Sequence, residues 1–147
     1  MSLESVSASS SNEIDELTFH NACAKGNLNV VKVYLAQPEF DMNIGDDEGC
    51  TGFHWACSYG KLKVVQFLLE QGLDMNIGDD NGITGFHKAC QYGKLNVVQF
   101  LLQQGFDMNF CDDNGLTGFH LACLYGKLNV VQFLIQQGFV MNVGDNS

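Results

Sequence analysis

The sequence predicts an all-α solenoid, in which four copies of a short helix, a tight turn and a longer helix stack side by side, joined by hairpin-like loops. The first observation behind this is a fixed interval. Thr51, Thr84 and Thr117 lie 33 residues apart, and the same step carries Phe53 onto Phe86 and Phe119, and His54 onto His87 and His120. A period of this length marks repeat architectures. The second observation is the spacing inside one copy. Phe53, Ala56 and Cys57 stand at i, i+3 and i+4, Gly60 interrupts them, and Leu62, Val65, Leu68 and Leu69 open a second apolar stripe widened by Val64 and Phe67. The third is the connecting stretch, rich in Asp, Asn and Gly, where Asp79-Asp80-Asn81-Gly82 reads as a turn at the tip of a loop. One copy could not bury its apolar face alone, whereas stacked copies build a continuous core.

Taken in order, residues 1–12 hold six serines and almost no apolar side chains, so a disordered tail is expected there. The repeat domain is expected over 13–147, with copies near 13–45, 46–78, 79–111 and 112–144. The first copy, opening at Leu17-Thr18-Phe19-His20, is offset from the second by 34 residues. The additional residue falls in Gln37-Pro38-Glu39-Phe40, where Pro38 ends the second helix in place of a glycine. Asn21, Lys25, Lys32 and Tyr34 set this copy apart from the later ones, as suits a capping repeat. In the later copies Gly72, Gly105 and Gly138 sit where a helix C-terminus takes a left-handed residue.

The run Thr-Gly-Phe-His-x-Ala-Cys-x-x-Gly-x-Leu-x-Val-Val-x-x-Leu-Leu, followed by Gly-x-Asp-Met-Asn, resembles the ankyrin repeat in period, helix pattern and Asp-x-x-Gly-x-Thr opening. The resemblance covers Leu17 to Gly144. It implies an intracellular module that binds another protein through its loop tips and the exposed face of its short helices. It also implies a structural role for the histidines, tied to the neighbouring threonine and loop backbone. One departure recurs: Gly52, Gly85 and Gly118 stand where the family usually has proline. That exchange is expected to weaken each helix start by a few tenths to ~1 kcal/mol.

Charge and cysteine usage narrow the function classes. The formal net charge is −10, from 17 acidic residues against seven lysines and no arginine. Nucleic acid is normally met by Lys and Arg clusters, so it is not an expected partner, and a protein with a basic surface is. No stretch approaches the ~18 apolar residues of a membrane span, and no signal-peptide layout opens the chain. The expected compartment is the cytoplasm or the nucleus. Cys23, Cys57, Cys90 and Cys123 recur at one position in layers expected ~8–10 Å apart, too far for disulfides, and read as small buried residues. Cys50 and Cys111 fall in loops and are expected to be accessible thiols.

Chemistry-bearing patterns are few. His54 and Cys57, with their equivalents, have a spacing that could hold a metal, but a pair repeated in every layer reads as structure. The pairs Asp46-Asp47, Asp79-Asp80 and Asp112-Asp113 fail the EF-hand template, since counting back from Gly82 puts the first ligand on Ile77. The first Asp of each pair is expected to fold onto its own turn, and the second to be exposed charge. No cofactor, no catalytic constellation and no phosphate-cradling loop is expected, and an enzyme is not.

The expected partner-binding residues follow from where the near-identical copies differ, and from a tyrosine ladder. Tyr59, Tyr92 and Tyr125 end each short helix. Around them vary Trp55, Lys88 and Leu121, then Ser58, Gln91 and Leu124, then Ile83 and Leu116 in the loops. Asp47, Glu48, Asp80, Asn81, Asp113 and Asn114 mark the loop tips and should make one edge acidic. A second reading makes the repeats a regulatory or targeting segment of a longer multidomain protein. A third, weaker one builds a metal-dependent activity on the His and Cys ladders. Finally, the fourth copy keeps Phe119, Val130, Val131, Phe133, Leu134 and Ile135, gains Leu121 and Leu124, and has Val140 in place of Asp74 and Asp107. Its outer face is therefore expected to be apolar, and covered by a following repeat, by other parts of a longer protein or by a second copy of the chain.

Overall fold

The computed structural model describes residues 18–138. Expectations about residues 1–12, Val140 and the Gly144 to Ser147 opening lie outside the described residues. Within them the chain forms helices and no strand: α1 (18–25), α2 (Leu28–Leu35), α3 (Gly52–Ser58), α4 (Leu62–Glu70), α5 (Gly85–Gln91), α6 (Leu95–Gln103), α7 (Gly118–Leu124) and α8 (Leu128–Gln136). The short helices α3, α5 and α7 form one row and the longer α2, α4, α6 and α8 a second, the all-α stack that the period predicts.

The short helices α3, α5 and α7 start and stop for local reasons. Thr51 caps α3: its hydroxyl accepts from the His54 N–H, and its own N–H donates to His54 Nδ1 at 3.0 Å, so both orphan groups find partners. Thr84 and Thr117 repeat the arrangement on α5 and α7. At the other end of α3 the chain passes through Gly60 at φ +70°, the Gly60 N–H donates to Cys57 O and the Lys61 N–H reaches Ala56 O at 2.9 Å. Gly72, at φ +95°, does the same for α4, with the Leu73 N–H on Leu68 O and the Leu73 side chain buried beneath. The left-handed glycine expected at that position is therefore present.

The core is a ladder of equivalent side chains. Phe19, Phe53 and Phe86, the paired valines Val64-Val65 and Val97-Val98, and Leu68, Leu101 and Leu134 are fully enclosed. Neighbouring short helices pack against each other more closely than neighbouring long ones, and glycine is the reason. A Cβ on Gly85 would lie 2.6 Å from Phe53 Cε2 and 2.7 Å from Cys57 Sγ, and Gly52 and Gly118 face the equivalent atoms of their own preceding copies. The glycine expected only to weaken the helix start is thus what lets a phenylalanine and a cysteine of one copy press against the backbone of the next.

Candidate partner-binding groove

The groove is built on the short-helix row and the loops that precede it. Each loop is closed by its first aspartate: Asp79 Oδ1 accepts from the Asn81 and Ile83 N–H groups at 2.9 and 3.0 Å, and the Asp79 N–H donates to Ile83 O. Asp46 and Asp112 close theirs identically. Asp47, Asp80 and Asp113 stay exposed, so the two aspartates divide the work as the turn chemistry predicts. Loops are stitched to one another by backbone, Asp80 N–H to Glu48 O at 3.0 Å and Asp113 N–H to Asn81 O at 3.1 Å. The result is a fixed acidic edge carrying Asp47, Glu48, Asp80, Asn81, Asp113 and Asn114, all exposed.

His20, His54 and His87 tie loops to helices. His54 Nδ1 accepts from Thr51, which leaves Nε2 as the protonated nitrogen, and that N–H donates to Ile83 O at 2.9 Å; His87 donates likewise to Phe110 O and His20 to Ile44 O. Burial holds His54 and His87 below the ordinary imidazole value, against the carbonyl bonds that pull the other way. With both ring nitrogens occupied, these side chains are braces. Among the described residues no three His, Cys, Asp or Glu side chains gather to hold a metal ion.

Tyr59, Tyr92 and Tyr125 cap the C-termini of α3, α5 and α7 and remain 53%, 46% and 53% exposed. Beside them, Trp55, Ser58, Lys88, Gln91, Ile83 and Leu116 are partly buried, and Leu124 is exposed. Leu121 departs from expectation, since it is buried. Its position lies over the base of its own copy's loop: there Trp55 donates its indole N–H to Asp46 Oδ2 at 3.1 Å, and Lys88 sets its ammonium 3.9 Å from Asp79 Oδ2. A leucine at that place has no polar end to carry outward and is enclosed. Partial burial works against it, but the Glu48 and Cys50 N–H groups and the Trp55 indole hold Asp46 below the usual carboxylate range.

Two thiols also depart from expectation. Cys50, expected to be accessible, is buried with its Sγ 3.7 Å from Asp79 Oδ2, and burial pushes its pKa up to about 12. Cys123, expected to be buried, is exposed, because Cys23, Cys57 and Cys90 are each covered by the following copy's glycine and no such layer lies over Cys123 among the described residues. Cys111 is exposed as expected, and all six thiols are free. On the fourth copy, Phe119, Leu121, Val130 and Leu134 are buried rather than presented, and among its described residues the aliphatic side chains of Leu124, Leu128 and Ile135 are exposed.

Sequence comparison adds relatives to this geometry. Residues 19–110 and 71–145 match the family described as "Ankyrin repeats (3 copies)". The chain is similar to the human "Scaffold protein ILK", 42% identical over 50 residues that make up 34% of this chain and 11% of the relative. It is also similar to the "Palmitoyltransferase AKR1" of Candida glabrata, 40% identical over 55 residues, 37% of this chain and 7% of the relative. The human "DNA-binding protein RFXANK" is 36% identical over 59 residues, 40% of this chain and 23% of the relative.

Proposed function

The chain belongs to the ankyrin-repeat family, and from that premise we propose that it binds a partner protein along the row of short helices and loop tips. Ankyrin repeats are generally protein-binding and non-catalytic modules, and the relative named a scaffold fits that use. The observation that carries the reading is the tyrosine row: three aromatic side chains at equivalent helix ends, each about half in water, on a surface whose neighbours differ between otherwise matching copies. Tyrosine exposes a large amphipathic surface that becomes valuable only when something covers it. The acidic edge supplies the charge that a basic partner would meet. What the DNA-binding relative's name says stays with that protein, since this chain sets seven lysines and no arginine against 17 acidic residues.

The test is selection of ligands from a displayed peptide library, followed by the Tyr59→Ala, Tyr92→Ala, Tyr125→Ala triple variant. The variant should keep its helical circular dichroism and lose its ligands, each anchor contributing about 2 kcal/mol. Unweakened binding by the folded triple variant would remove the tyrosine row from the interface.

One observation favours a second reading. The chain spans 11%, 7% and 23% of the three relatives' lengths, so in them the matched segment is a small part of a longer protein. In that reading the repeats dock or regulate an effector domain, and the same groove is the docking face. Among the described residues no helix is long and apolar enough to cross a membrane.

A further inference from the structure

Between the second and third copies the groove deepens into a cleft of ≈ 210 Å³, with Trp55, Tyr59, Tyr92, Lys88 and Glu48 among its lining. Trp55 and Tyr59 are stacked, their ring centroids 6.2 Å apart and their planes 14° apart. Trp55 is pinned by its indole hydrogen bond to Asp46. The charges around the cleft do not cancel: Asp46, Glu48 and Asp79 are three carboxylates against the single ammonium of Lys88. That ammonium is already beside Asp79, whereas Glu48 enters no ion pair among the described residues. The combination arises once in the repeat, because the positions of Glu48 and Trp55 carry Asn81 and Lys88 in the third copy and Asn114 and Leu121 in the fourth.

We propose that this cleft takes an arginine side chain of the partner protein, its guanidinium laid against the Trp55–Tyr59 wall and paired with the Glu48 carboxylate. The assignment rests on the protein-binding reading and names the chemistry of its anchor. Aromatic faces attract cations, and a planar, weakly hydrated guanidinium can stack and donate two hydrogen bonds to a carboxylate at once, which a lysine ammonium does not. A partner carboxylate would enter an excess of negative charge. An aliphatic side chain would cover Glu48 and give it no partner. Residues 1–147 contain no arginine, so the group is not supplied from within this sequence or from a second copy of it.

Trp55 is the one tryptophan of the chain, so its fluorescence reports on the cleft directly. The probe is the capped tripeptide acetyl-Gly-Arg-Gly-amide, with Lys, Leu and Glu analogues, titrated at constant ionic strength. The Arg peptide should give a saturable change, about threefold tighter than the Lys peptide, while the Leu and Glu peptides give none. Glu48→Gln should weaken the Arg peptide about fivefold while leaving the helical signal unchanged. A Leu or Glu peptide that binds as tightly as Arg, a Glu48→Gln variant with unaltered affinity, or no saturable response to Arg would each overturn the assignment. Library selection separates this from failure of the broader reading. Selected ligands that need the tyrosine row but share no arginine refute the arginine cleft and leave the groove standing. Ligands indifferent to the tyrosine row refute the groove as well.

Discussion

Replacing Gly85 by alanine should destabilise the protein, although alanine is the better helix former. Gly85 opens α5, and at a helix interior the exchange would favour folding by up to ~1 kcal/mol. Against this, the new Cβ would sit 2.6 Å from Phe53 Cε2, 3.0 Å from Phe53 Cδ2 and 2.7 Å from Cys57 Sγ. Contacts that short require something to move, and both neighbours are fully enclosed in the core, so neither is the free end of a flexible side chain. Overpacking of this kind costs ~1–3 kcal/mol, and the first helical position captures only part of the propensity gain, so a net loss of about 1–2 kcal/mol is expected. Urea denaturation followed by helical circular dichroism reads it as a lowered midpoint at unchanged slope. In a Phe53→Leu, Cys57→Ala background the two closest colliding atoms, Phe53 Cε2 and Cys57 Sγ, are gone, and Gly85→Ala should become neutral or stabilising. A raised midpoint for Gly85→Ala alone, or an undiminished loss in the double background, would refute close packing as the reason for the glycine.

Stability should fall on acidification below the ordinary imidazole pKa of about 6.5. His54 and His87 are held neutral in the fold, so the unfolded chain takes up their protons first. Their contribution is full above that pH, is lost as pH falls toward the depressed folded values, and is measured by urea midpoints across pH 5 to 8. Asp46, depressed as well, contributes above the usual carboxylate range and is lost only at more acidic pH, as the same series carried lower would show. A membrane-permeant thiol reagent should label Cys111 and Cys123 rapidly in the native protein, and Cys50, Cys57 and Cys90 only on unfolding, as read by mass spectrometry. The exposed trio Leu124, Leu128 and Ile135 should make sedimentation concentration-dependent, and Leu128→Lys with Ile135→Glu should abolish that dependence without lowering the urea midpoint.

The repeat was legible in the chain because what defines it is local or repeats from layer to layer. Gly60 and Gly72 must pass through positive φ to close their helices, Thr51 must cap, and Asp79 must bond its own turn, whatever surrounds them. The tyrosines at the short-helix ends follow from the same spacing. What tertiary structure decided depends on atoms brought from a neighbouring copy or loop. Gly85 reads as a helix-weakening residue until Phe53 and Cys57 are set against it. Cys50 reads as a loop thiol until the next loop's Asp79 closes over it, and Cys123 reads as a core residue although nothing described covers it. Leu121 varies like a surface position, but its site turns inward over the loop base, where Trp55 and Lys88 reach aspartates. The cleft is of the same kind: its walls, Trp55 and Tyr59 on and just beyond α3 and Lys88 and Tyr92 on and just beyond α5, lie a full period apart in the chain, and only the close approach of two glycine-started helices makes them one surface.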